Sequence, residues 1–174
     1  MLTHNDLLKC GNDEKKRIAF IEQAINDYKR SDRYKTAELS MKYYNKENPD
    51  IAAVEKIIYD MKGIAHRDLI SPNSKNRVCY FPSIIDGYVS HLLTNGIGFE
   101  NEANKDLLGD IDDVLKEMYL DAIICGETYG YYYIDDETKE KHVLNMKFLD
   151  TVAILDDYTM KPVDYIYFTQ LDID

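Results

Sequence analysis

Gly126-Glu127-Thr128-Tyr129-Gly130-Tyr131-Tyr132-Tyr133-Ile134 marks the point where the apolar period of this chain changes. Upstream, Leu107, Leu108, Ile111, Val114, Leu115, Met118, Ala122 and Cys125 recur at helical spacing, so the run from Asn104 to Cys125 predicts an amphipathic helix. Gly126 is the residue type that closes a helix in the left-handed conformation. Beyond it the period is two. Thr128, Gly130, Tyr132 and Ile134 fall on one face of a strand and Tyr129, Tyr131 and Tyr133 on the other, so both faces carry apolar bulk and both are expected to be covered.

Working outward, three further extended runs follow: His142 to Phe148, Thr151 to Leu155 and Val163 to Gln170, separated by polar turns. Together they predict an antiparallel meander over 127–170. On the other side, helices are expected over 78–126, the first with its inner face at Ile84, Ile85, Tyr88, Val89 and Leu92. It opens near Pro82 or Ser83 and closes at Asn95-Gly96, ahead of a short extended piece at Ile97 to Phe99. The stretch 63–77 loses periodicity and is dense in turn formers, which predicts a loop. Residues 1–62 read as helical. One stripe runs through Ile18, Ile21, Ile25 and Tyr28 behind a cap at Asn12 or Asp13, and a second through Tyr34, Ala37, Met41 and Tyr44. A third helix capped by Asp50 carries Ile51, Val54, Ile57, Ile58 and Met61. The fold class is α+β, with helices first and sheet last, in one domain.

Composition narrows the function. The chain has 174 residues with Lys+Arg 21 against Asp+Glu 32, a formal net charge of -11. That balance repels phosphate, so weak binding to duplex DNA at moderate salt is expected. Cys10, Cys79 and Cys125 are widely spaced and include no C-x-x-C pair, which predicts reduced thiols and neither a disulfide framework nor a zinc site. Without a long apolar run or a signal-like start, a soluble cytosolic product with no membrane contact is expected.

Catalytic and ligand signatures fail on inspection. His66-Arg67-Asp68-Leu69 followed by Asn73 has the spacing of a kinase catalytic loop, but no glycine-rich loop or D-F-G accompanies it, and a solvated loop is the expectation. Cys125 lies at a helix C-terminus, whose negative end raises a thiol pKa, and reads as a small buried residue. His4, His66, His91 and His142 share no ligand spacing, and the acidic groups at Asp110 to Asp113 and Asp135 to Glu137 do not fit a calcium loop. No enzyme activity, cofactor or metal is expected. The 15 tyrosines read as core and interface anchors, with Tyr43, Tyr44, Tyr129, Tyr131 and Tyr133 the candidate interface residues.

Four segments, taken in order, resemble the N-terminal part of tailed-bacteriophage portal proteins of the siphophage-like type that infect Gram-positive hosts. They are Tyr43-Tyr44-Asn45-Lys46-Glu47-Asn48 with Ile51, where lysine replaces the usual glycine; Asn76 to Phe99; Asp121-Ala122-Ile123-Ile124-Cys125-Gly126 running to Tyr131-Tyr132-Tyr133-Ile134-Asp135-Asp136; and Val152-Ala153-Ile154-Leu155-Asp156-Asp157. The resemblance covers roughly Leu39 to Thr169. It implies the outer wing of a portal subunit, with the stem, clip and crown expected beyond Asp174 absent. A portal is a ring at one capsid vertex, dodecameric when full length, used in DNA packaging, head–tail joining and genome ejection. The implied partners are identical subunits, capsid and scaffold proteins, terminase and head-completion proteins. Duplex DNA passes through the ring without being gripped by this segment. The implied location is the host cytoplasm during assembly and then the virion. A segment of this kind without the later elements is expected to be monomeric or weakly associated. The alternative is a free-standing α+β adaptor domain that binds another protein.

Overall fold

The computed structural model describes residues 3–68, 75, 79–96, 98 and 111–169. Its architecture is α+β, with helices mostly N-terminal and strands mostly C-terminal. Among the described residues no helix is long and apolar enough to cross a membrane.

Helix α1 (His4–Lys9) is followed by α2 (Glu14–Arg30), which starts where the Asp13 side chain accepts from the Lys16 N–H. The Ser31 side chain then accepts from the Tyr34 N–H and opens α3 (Asp32–Tyr44), so one residue both ends α2 and caps α3. The third predicted helix is much shorter than expected. α4 spans only Pro49–Ala53, with Pro49 in its first turn and Asn48, not Asp50, as its N-cap. Ile57, Ile58 and Met61 do not continue it. Instead β1 (Ile57–Tyr59) and β2 (Ala65–Arg67) form an antiparallel hairpin, which corrects both the helical reading of 1–62 and the loop reading of 63–77. The cause is the turn: Asp60 Oδ1 accepts from the Lys62 and Ile64 N–H groups, and Gly63 takes φ +77°, a conformation L-residues rarely adopt. The β-branched Ile57-Ile58 pair then prefers the strand. His66 and Arg67 lie in β2 and Asp68 directly follows it, and Asn73 lies outside the described residues.

Helix α5 (Phe81–Leu92) has Pro82 in its first turn and buries Ile85 and Val89 of its predicted inner face, whereas Ile84, Tyr88 and Leu92, predicted on the same face, are exposed. Gly96 adopts φ +70° beyond its end. Of the extended piece expected at Ile97 to Phe99 only Gly98 is described, and it lies in no strand; the first part of the next helix lies outside the described residues. That helix, α6, is described over Asp112–Cys125 and ends at Gly126 with φ +97°.

The C-terminal strands are β3 (Tyr129–Ile134), β4 (Lys141–Met146), β5 (Thr151–Leu155) and β6 (Pro162–Tyr167). They do not form one meander. Among the described residues β3 pairs with β4 and β5 with β6, giving separate two-stranded antiparallel sheets, and Leu155 at the end of β5 adds a single parallel bridge to Thr3. A 3₁₀ turn at Phe148–Asp150 breaks the predicted His142 to Phe148 strand and redirects the chain. Phe148 is fully buried there, so its burial decides the break.

The two hairpins share a loop whose repetition is visible in sequence once the structure aligns it: Asp135-Asp136-Glu137-Thr138-Lys139 and Asp156-Asp157-Tyr158-Thr159-Met160. Asp135 Oδ1 accepts from the Glu137 and Thr138 N–H groups, and Asp156 Oδ1 from those of Tyr158 and Thr159. These backbone donors hold both carboxyls below the ordinary carboxylate range. Each loop closes on a left-handed residue, Lys139 at φ +59° and Met160 at φ +53°. The left-handed region costs an L-residue about 1–2 kcal/mol, and glycine loses about 0.5–1 kcal/mol through extra unfolded-chain freedom. Met160→Gly is therefore expected to stabilise the protein by about 0.5–1 kcal/mol. Urea unfolding should show a raised midpoint at unchanged slope, and Met160→Ala should show no gain.

Two apolar clusters form the interior. Phe20 and Ala24 of α2 pack with Val152 and Ile154 of β5, while Ile85, Val89 and Ile124 join α5 to α6 with Met41 and Tyr44 of α3. Phe148 and Asp121 tie the layers together. The Tyr28 hydroxyl donates to the Phe148 carbonyl at 2.7 Å, and the two rings meet edge to face at 5.7 Å. The Phe148 N–H donates to Asp121 Oδ2 at 3.2 Å, where the Thr128 hydroxyl also donates.

Candidate interface: a tyrosine-lined groove between two hairpins

Period-two geometry puts Tyr129, Tyr131 and Tyr133 on one face of β3. The β3–β4 register brings Met146 and Leu144 opposite Tyr129 and Tyr131 on that same face. On β6 the same alternation aligns Val163, Tyr165 and Tyr167, while Ile166 points into the α2 cluster. These two faces meet where the Tyr129 and Tyr165 rings approach to 5.1 Å. Between them runs a groove of about 670 Å³ that also reaches Thr128, Gly130 and Asp164.

The aromatic surface is open to solvent: Tyr131 is 54% exposed, and Tyr133, Leu144, Val163, Tyr165 and Tyr167 are exposed as well. Tyr131 and Tyr133 stack with centroids 5.9 Å apart and nearly parallel rings. This overturns the expectation that β3 is covered on both sides. On the opposite face Tyr132 and Ile134 are exposed too. Helix α6 reaches only the start of that face, at Gly130, where an added Cβ would lie 2.9 Å from Met118 Cε. Among the described residues no strand continues the sheet beyond β3, and Tyr132 and Ile134 stay open.

Tyr129 anchors the groove to the core. Its hydroxyl donates to Glu127 Oε1, and Glu127 pairs with Arg33 at 2.5 Å; the Arg33 guanidinium in turn sits over the Phe148 ring, 5.2 Å from its centroid. Burial, helped by the bond to Glu127, raises the Tyr129 pKa. The Tyr129 hydroxyl therefore stays protonated and acts as a fixed donor. Among the described residues no lysine or arginine lines the groove, and the one lining carboxylate, Asp164, lies 2.5 Å from His4 Nδ1.

The other two candidate tyrosines lie elsewhere. Tyr43 and Tyr44 end α3; Tyr43 donates to Asp50 and Tyr44 to Asp86 Oδ1 at 2.7 Å, both half-buried. They brace helices, and the structure does not bring them to the β3 face. Tyr165, Tyr167 and Val163 were missed by sequence reasoning, although the Val163-Asp164-Tyr165-Ile166-Tyr167 alternation carried the same signal as β3. Cys125 is half-buried and its thiol is pushed up to about 12, first by burial and then by the nearby Asp121 carboxylate.

A second exposed apolar surface is the β1–β2 hairpin. Ile57, Ile58, Tyr59, Met61 and Ile64 are all exposed, Tyr59 at 71%. Local pairs join Lys56 to Asp68, His66 to Asp60 and Arg67 to Glu55. Compared with protein-family models and with curated proteins, the sequence matches none.

Proposed function

We propose that this chain works by protein–protein contact, as the wing-like structural part of a portal-type ring at a capsid vertex. The observation that carries the reading is the pair of unlike exposed apolar surfaces, the tyrosine groove and the β1–β2 hairpin. A closed ring of identical subunits uses heterologous contacts, in which one patch of each copy meets a different patch of the next. Exposed apolar patches of this kind mark sites of association. The resemblance of the segments ending in Gly126 and of the aromatic strand after it adds family-level support. A net charge of -11 suits a conduit that releases its DNA. On this reading the further partners are capsid and scaffold proteins, terminase and head-completion proteins, and the final location is the virion.

The adaptor reading is favoured by one feature: the groove is complete within a single chain. Negative-stain imaging of the full natural product carrying these residues separates the two. A ring with a central channel is the expected result, and a compact monomer would reject it in favour of the adaptor.

A further inference from the structure

The phase of each hairpin ladder fixes which backbone groups face outward. In β3–β4 the Asp135 N–H donates to the Glu140 carbonyl, so odd-numbered residues of β3 bond to β4 and the groups of Gly130 and Tyr132 point away. In β5–β6 the Phe168 N–H donates to the Asp150 carbonyl, which leaves Tyr165 and Tyr167 pointing away from β5. Among the described residues neither open edge is paired with a further strand. Consecutive residues Thr128 to Tyr131 and Val163 to Tyr165 line the groove, so strand edges, and not one sheet face alone, bound it. Open edges with apolar flanks are templates for another strand.

The β1–β2 hairpin offers the complement. Its ladder runs through the Asp60 N–H to Ile64 carbonyl and Asp68 N–H to Lys56 carbonyl bonds, so the Ile57 and Tyr59 backbone groups face outward on β1. An isolated two-stranded hairpin is marginal in water, yet this one is exposed along both strands and displays Ile57, Ile58 and Tyr59. At its tip Lys62 has no ion-pair partner among the described residues, whereas the described lining of the groove holds tyrosine faces that attract cations and Asp164, itself paired with His4, with no lysine or arginine.

We infer that the groove between β3 and β6 receives strand β1 of a second copy of this chain, so that the hairpin of one copy docks head to tail on the next. The inference rests on the contact-surface reading above and names its occupant. The contact is heterologous, and one copy therefore keeps a free hairpin and the other a free groove.

Sedimentation of the chain over a concentration series tests it. Weak association, with Kd of about 0.1–1 mM, is expected, because the docking strand Ile57–Tyr59 is short and small contacts are transient. Ile57→Asp on the hairpin and Tyr165→Asp in the groove should each weaken association about tenfold or more. Mixing the two variants should restore association but stop it at dimers, since each supplies the surface the other lacks. Tyr59→Ser, which keeps the hairpin backbone, repeats the hairpin arm, and hydrogen exchange should show protection of the Ile57, Tyr59, Gly130 and Tyr132 amides growing with concentration. No association at 1 mM, indifference to both substitutions, or failure of the mixture to recover would overturn the contact. A ring in images that survives both substitutions would reject this contact and leave the ring reading standing. Head-to-tail association of a product that images as a ringless chain would do the reverse.

Discussion

Phe148→Ala is expected to lower stability by about 3–5 kcal/mol, the range for deleting a buried aromatic ring. Phe148 is 0% exposed. Its ring packs edge to face on Tyr28 and lies under the Arg33 guanidinium, whose other contact is the Glu127 carboxylate. Removing the ring leaves a cavity between α2, α3 and the 3₁₀ turn that backbone in two cores is poorly placed to fill. Thermal unfolding should fall on the order of 10 °C for a chain of this size. Because Arg33 orients Glu127 and Glu127 accepts from the Tyr129 hydroxyl, the groove should loosen as well. Hydrogen exchange at the Tyr129 and Gly130 amides should rise in the variant at temperatures where it is still folded. A loss below about 1 kcal/mol would mean the site collapses onto the void and Phe148 is not the tie between the layers.

Asp121→Ala should cost about 2–4 kcal/mol, since it strands the Phe148 N–H and removes a hydrogen bond to a charged acceptor. Asp121 is 6% exposed and also accepts from Thr128, which keeps Asn145 Oδ1 as a second partner at 2.9 Å. The Phe148 N–H has no such alternative, so the larger share of the loss belongs there. Burial, more than any neighbouring charge, raises the Asp121 pKa above 3.8. The native state therefore holds this proton to higher pH than the unfolded chain, and the Asp121 contribution to stability declines as pH rises from 3.8 towards the native value, then levels off. The exposed loop carboxyls Asp135 and Asp156 act with the opposite sign, because their lowered pKa values add stability that is lost as pH falls. Asp121→Asn keeps an acceptor for Phe148 and abolishes its own part of the titration. Urea unfolding from pH 3 to 7 should therefore show the variant gaining on the parent as pH rises. A constant difference across that window would show that Asp121 does not titrate between the folded and unfolded states.

Local chemistry settled much of the fold. Helix α2 lies where the stripe through Ile18, Ile21, Ile25 and Tyr28 put it, although Ile18 is exposed and Phe20 and Ala24 are its buried residues; Gly126 ended α6 and the alternation after it made β3, because each depends on neighbours a few residues apart. The same is true of the candidate tyrosines on β3, whose shared face follows from period two alone. Where the reading failed, a competing local signal or a distant contact had the larger energy. The Ile51 to Met61 stripe fits a helix, but the Asp60-to-Gly63 turn and the paired β-branched residues favour a hairpin. Four extended runs suggest a meander, yet the full burial of Phe148 turns the chain between β4 and β5 and sends the two hairpins to different helices. Whether a strand face is covered depends on which helix reaches it, and Met118 of α6 meets β3 at Gly130 while Tyr132 and Ile134 stay exposed. The sequence by itself thus determined the long helices, the C-terminal strands and the shared face of the β3 tyrosines. Only the tertiary structure decided that Tyr129 and Tyr165 meet, that Tyr43 and Tyr44 brace helices elsewhere, and that two open strand edges border one groove, because those outcomes rest on contacts between residues far apart in the chain.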